Sequence, residues 1–176
     1  DLPQGMGYEA FTARTPDGRV MRFQKKARFP QGMLVRNLQD ISIELRADRV
    51  FGHLEVEQIP AYGYQTCHLV REDDFPYVEG SLAPETNVLE NEHLRAAFNA
   101  DGTLDLTHKE SGRTFAGLHY IEDTGETGHS WVHMEPDDNR TITSHGGPCT
   151  LALLEAGPVL ARMRVDYSME IPKSVE

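Results

Sequence analysis

The stretch Leu89–Phe115, LENEHLRAAFNADGTLDLTHKESGRTF, decides the fold. Leu94, Ala96 and Phe98 alternate with Arg95 and Ala97. Asn99-Ala100-Asp101-Gly102 then supplies a turn in which Gly102 is free to take a positive φ. Leu104 and Leu106 alternate with Asp105 and Thr107, Glu110-Ser111-Gly112 turns again, and Thr114-Phe115 resumes. Period-two apolar spacing bounded by Asp-Gly and Ser-Gly predicts two consecutive antiparallel hairpins.

The same grammar extends in both directions. Phe11 to Arg14, a Pro16-Asp17-Gly18 turn and Val20 to Gln24 predict a hairpin. Ile41 to Leu45, Phe51 to Ile59 and Gln65 to Val70 read as strands, with Pro60-Ala61-Tyr62-Gly63-Tyr64 as a kink whose two rings pack. Downstream, Leu118 to Glu122, His129 to Met134 and Cys149 to Leu154 read as strands, followed by a turn at Gly157-Pro158. From Val159 to Ile171 the alternation is nearly unbroken and predicts one strand of about 40 Å at about 3.3 Å per residue. So long a strand needs partners on both edges, which predicts an incomplete sheet that self-associates or is covered. Helix signals are nearly absent, since Asn99-Ala100-Asp101-Gly102 ends the one apolar run that could be drawn as a helical turn. The expected class is an all-β antiparallel sandwich. Residues 1–75 form a small β-subdomain in this reading, the acidic Pro/Gly-bearing segment 76–87 a linker, and 88–176 the start of a larger β-domain.

Composition limits the function. The chain has 176 residues, 39% of them hydrophobic, so much of its surface is polar. A net charge of −11 argues against nucleic acid or an anionic membrane, whose phosphates would be repelled. Cys67 and Cys149 have no metal-type spacing and are too few for a disulfide scaffold, so they read as buried free thiols in a reducing compartment. No run approaches the ~20 apolar residues of a membrane span, and no signal peptide is visible. The start at Asp1, without Met, suggests a piece of something longer.

Several motifs invite chemistry. The loop from Asp123 to Arg140 holds Trp131, a flat apolar face for a sugar ring or a core side chain, and Asp123, His129, His133 and Arg140, which offer hydrogen bonds or cap turns. His129 and His133 stand four apart, with Asp137 or Asp138 as a conceivable third ligand, but isolated His pairs are common and no metal is assigned. Ser144-His145-Gly146-Gly147 lacks the following helix of a phosphate cradle and reads as a turn. Glu90-Asn91-Glu92 reads as a carboxylate pair on one strand face, solvated rather than perturbed.

A resemblance sharpens these readings. Leu89-Glu90-Asn91-Glu92, Asp101-Gly102-Thr103-Leu104, Lys109-Glu110-Ser111-Gly112-Arg113 and Glu122-Asp123-Thr124-Gly125 resemble, in order and spacing, the β-rich C-terminal region of family 38 glycoside hydrolases, the α-mannosidases. Ile59 to Thr66 and Leu154 to Val159 are similar to that family's flanking stretches. The family's Gly-Asp-Glu-Tyr-Asn-Phe is replaced here by Gly128-His129-Ser130-Trp131-Val132-His133, which puts substrate detail in doubt. The resemblance implies a galactose-mutarotase-like super-sandwich, truncated here. It implies a parent enzyme that hydrolyses terminal α-mannosides with zinc, whose ligands, nucleophile and general acid lie in an N-terminal α/β domain absent from this chain. It makes the chain itself inactive, with no catalytic or metal residue. Asp123, His129, Trp131, His133 and Arg140 become rim candidates, with a mannoside and the parent's own catalytic domain as partners. A homo-oligomer and a bacterial cytoplasmic location are further expectations. The alternatives are a stand-alone carbohydrate-binding module, which needs an exposed aromatic platform, and an epimerase-like sandwich, which needs a His and a Glu converging in a cleft.

Overall fold

In a computed structural model, which describes residues 1–5, 9–36 and 39–173, the chain is all-β, with no helix among the described residues. Its strands are β1 (Leu2–Pro3), β2 (Ala10–Arg14), β3 (Phe23–Val35), β4 (Ile43–Leu54), β5 (His68–Glu72), β6 (Val88–Glu90) and β7 (Leu94–Phe98). There follow β8 (Leu104–His108), β9 (Arg113–Leu118), β10 (Glu122–Asp123), β11 (Ile142–Thr143), β12 (Cys149–Ala156) and β13 (Ala161–Tyr167). All pairings are antiparallel. The strands gather in two compact units. One comprises Asp1–Ser81 with Gly157–Leu160, the other Leu82–Ala156 with Ala161–Glu176. No helix among the described residues is long and apolar enough to cross a membrane, which says nothing of β-barrels.

The first unit holds the sheet β1-β4-β3 and the pair β2-β5. The expected strand ends at Gln24, whereas β3 runs on through Pro30 and Gly32 to Val35. β3 is an edge strand, where proline's missing N–H interrupts no ladder, so Pro30 sits opposite Asp48 without cost to the sheet. Its partner β4 is continuous through Arg46 to Val50, where the sequence suggested a break, and ends at Leu54, short of the expected Ile59. The predicted partnership of residues 11–14 with 20–24 reduces to a bridge between Arg14 and Val20. β2 pairs instead with β5, from Ala10–Glu72 to Arg14–His68. Leu2, Ala10, Ala13, Met21 and Ala47 are buried, and the Phe11, Phe23 and Phe75 rings meet with centroids 5.0–5.9 Å apart. Gln24 ties in the Gly157–Leu160 turn. Its Oε1 accepts from the N–H groups of Val159 (3.0 Å) and Leu160 (2.9 Å), and its Nε2 donates to Leu160 O (3.0 Å).

The second unit holds the meander β6-β7-β8-β9 and the pairs β12-β13 and β10-β11. Both expected hairpins are present, with a third turn between β6 and β7. Asn91 Oδ1 makes that turn by accepting from His93 N (2.9 Å) and Leu94 N (2.8 Å). Glu90 and Glu92 therefore do not share a strand face. Glu90 ends β6 and meets Lys109 at 2.6 Å, which holds its carboxyl below the usual range.

The Asn99–Gly102 turn organises the unit. Asp101 Oδ1 accepts from Thr103 N (3.1 Å) and Thr103 Oγ1 (2.7 Å), and Oδ2 accepts from Gly146 N (3.2 Å). Gly102 has φ +83°, and a side chain there would fall 2.5 Å from Tyr167 Cε1 and 2.7 Å from Cys149 Sγ. The Tyr167 hydroxyl donates to Gly102 O (2.7 Å), which carries β13 onto the meander's turn.

Three further expectations are corrected. The long final strand is cut to β13, since the turn consumes Val159 and Leu160 and the partner β12 begins only at Cys149, after Pro148. Tyr62 and Tyr64 do not pack. A turn closed by Gly63 N to Pro60 O (3.0 Å), with Tyr62 at φ 55°, leaves both rings in solvent. Cys67 is exposed and Cys149 only partly buried.

Candidate functional site

The candidate loop is a closed ribbon. At its base β10 pairs with β11, Glu122 opposite Thr143 and Asp123 opposite Ile142. Below them the buried Ser144 exchanges bonds with Ile121. Ile121 N donates to Ser144 Oγ (2.9 Å), and Ser144 N donates to Ile121 O (2.9 Å). Higher up, Gly125 N donates to Asn139 Oδ1 (2.9 Å) and Thr127 N to Met134 O (2.9 Å). The tip is a tight turn in which His129 N bonds Val132 O (3.1 Å) and Val132 N bonds His129 O (2.9 Å). The segment His129 to Met134, expected as a strand, is thus a turn on a ribbon.

Trp131 sits in that turn and is 91% exposed. The reading in which it packs into the sandwich fails, because the turn at the tip of the ribbon leaves its ring in solvent. His129 Nδ1 accepts from Trp131 N (3.3 Å). Asp123 lies part-buried at the base, and Arg140 is exposed in an ion pair with Asp138 (3.4 Å). The ribbon therefore spreads the five candidates from base to tip instead of gathering them around one point.

The residue that sequence reasoning missed is Glu126. Its Oε1 accepts from Gly128 N (2.5 Å) and Met134 N (2.9 Å), and Oε2 meets His133 Nδ1. The Met134 and Gly128 amides, then His133, pull its carboxyl down to about 2. Its only sequence signal is an acid two residues before Gly128, where glycine lets a carboxylate reach backbone N–H groups. Among the described residues no three His, Cys, Asp or Glu side chains could hold a metal ion. His133 Nδ1 is engaged with Glu126 and His129 Nδ1 with the Trp131 amide. The His133–Glu126 pair is also open to solvent, with side chains 57% and 44% exposed, unlike the enclosed pair that an epimerase-like site requires. A cleft of about 330 Å³ lies in the other unit, lined by Phe11, Met21, Phe23, Pro76 and Tyr77 among others, and its lining is chiefly apolar.

The class that these observations define is an all-β, antiparallel sandwich chain carrying an ordered ribbon with an exposed indole. The same fold occurs as a part of much longer enzymes. An α-mannosidase from Enterococcus faecalis V583 matches 99% of this chain over 21% of its own length, with a TM-score of 0.79 and 19% identity. A glycosyl hydrolase family 38 protein from Enterococcus faecalis matches 90% of this chain over 19% of its own, with a TM-score of 0.67 and 20% identity. At such identities the likeness is one of fold, and the chain spans about a fifth of the length of each. No family model and no curated protein sequence matches it.

Proposed function

We propose that this chain is the non-catalytic β-sandwich portion of an α-mannosidase-type glycoside hydrolase, which braces a catalytic domain and lends the 123–140 ribbon to the rim of the sugar site. The fold likeness over nearly the whole chain carries this reading. Zinc and the acid and nucleophile carboxyls would belong to the parent's catalytic domain. Retaining glycosidases need two carboxyl groups about 5–5.5 Å apart, and Glu126, the most perturbed carboxylate of the ribbon, is committed to backbone amides instead.

The surface supports a bracing role. Folded monomers of this mass expose about 8,600 Å², and two separate bodies of half the mass about 10,400 Å². This chain exposes 13,122 Å². Part of the excess is one face of the β3–β4 hairpin, where Val35 stands opposite Ile43 and the Phe29 and Phe51 rings stack at 5.5 Å, all of them exposed. Apolar faces of this kind mark interaction surfaces.

A second reading, a stand-alone carbohydrate-binding module, is favoured by the exposed rings of Trp131, Tyr62 and Tyr64. Titration calorimetry of the isolated chain with mannose and α-mannobiose separates the two. The bracing reading expects no measurable heat of binding, because the rim completes its site only with the catalytic domain. Saturable binding by the chain alone would sink it in favour of the module.

A further inference from the structure

We propose that Glu126 is a positioning residue whose carboxylate locks the ribbon and so presents Trp131 as a preformed stacking face for a pyranose ring. The ligand class rests on the glycosidase reading above; the positioning role stands on geometry alone.

A tryptophan held 91% in water is unusual for so large an apolar ring, and here it sits in a structured turn. One side chain gathers most of the donors around the turn. Glu126 reaches across the ribbon to the Met134 amide and the His133 ring, and back to the Gly128 amide, so both of its oxygens are occupied by donors flanking the tip. Thr127 adds its hydroxyl to Met134 O at 3.1 Å on the same rung. Without the carboxylate, the Gly128 and Met134 N–H groups lose their acceptor, and the tip is left with the His129–Val132 pair, the Thr127–Met134 rung and the Trp131 N–His129 Nδ1 bond. Gly128 belongs to the device, because a side chain there would lie 2.7 Å from Glu126 Oε1 and would collide with Val132 O. A face ordered before binding spares the ligand the cost of immobilising a loop. The indole would then contribute uniform binding, felt in KM rather than in kcat.

Trp131 is the sole tryptophan, so its fluorescence reads the ribbon directly. In the whole chain, with far-UV circular dichroism as a folding control, Glu126→Ala should lower Trp131 anisotropy and raise acrylamide quenching. Glu126→Gln, which keeps an oxygen for the two amides, should restore most of the signal. Gly128→Ala should reproduce the alanine phenotype with Glu126 intact. In the protein that contains this chain, Glu126→Ala and Trp131→Ala should each raise KM for an aryl α-mannoside about fivefold with kcat little changed, and the double variant should be no worse than either. Unchanged anisotropy in Glu126→Ala overturns the positioning role, whatever Gly128→Ala does, and leaves the glycosidase reading standing. Lower anisotropy with unchanged KM in Trp131→Ala overturns the stacking face. Absence of any mannosidase activity in the parent removes the ligand class, and the fluorescence still decides the positioning role.

Discussion

Gly102 shows how a single backbone position can decide the packing of a unit. Its φ of +83° closes the β7–β8 turn, and the space where a side chain would stand is taken by Tyr167, Cys149 and Val165. Gly102→Ala meets both penalties, a left-handed backbone and an overpacked core, and should destabilise the second unit by about 2–4 kcal/mol, measured as a lower urea midpoint. Its neighbour Asp101 is held at about 2, below the ordinary 3.8, chiefly by the Thr103 hydroxyl and amide and then by Gly146 N, with His145 adding charge attraction. A carboxyl depressed in the folded state stabilises at pH above its unfolded value and loses that contribution as pH falls through its folded one. Thermal melts from pH 7 downward should therefore show Asp101→Asn losing less stability than the parent chain between about pH 4 and pH 2. An identical acid limb in the two proteins would contradict the assignment. By the same reasoning Glu126, also near 2, stays ionised through the usual carboxylate range, and the protection factors of the Gly128 and Met134 amides it accepts from should hold down to about pH 3.

Elements were legible where alternation and turn chemistry agreed. The strands β7 and β8 and the start of β9 were legible, because Asp101-Gly102 and Ser111-Gly112 punctuate a clean period of two, while β6 and its turn at Asn91 were not. Neither was β3 beyond Gln24, since Pro30 and Gly32 carry a turn signal that an edge position overrides. β13 kept its predicted parity, with Met163, Val165 and Tyr167 half-buried and Arg162, Arg164 and Asp166 exposed. Its length was misjudged because strand length is set by the partner, and β12 begins only at Cys149. Likewise the rim candidates were visible as residue types, while Glu126, whose role lies in accepting backbone N–H groups across a ribbon, left almost no trace in the sequence. Gln24 is a similar case: a polar residue in a strand that also carries Lys25, Lys26 and Arg28, whose three bonds secure the Gly157–Leu160 turn. Gln24→Ala should speed hydrogen exchange at the Val159 and Leu160 amides about tenfold. Unchanged exchange would mean that the turn holds itself.

The whole molecule combines a fold found as part of a much longer α-mannosidase, a surface larger than its mass accounts for, and a ribbon that offers an exposed indole. An apolar hairpin face left in water also predicts association. Sedimentation velocity of the isolated chain should show concentration-dependent dimers or larger species, and a strictly monomeric chain would count against an interaction surface there. The central claim, a bracing part of an α-mannosidase with no chemistry of its own, is tested most directly by hydrolysis of an aryl α-D-mannoside. The protein that contains this chain should release the aryl group in a zinc-dependent reaction, and the purified chain should release none. Hydrolysis by the chain alone, or none by the protein that contains it, would contradict the account.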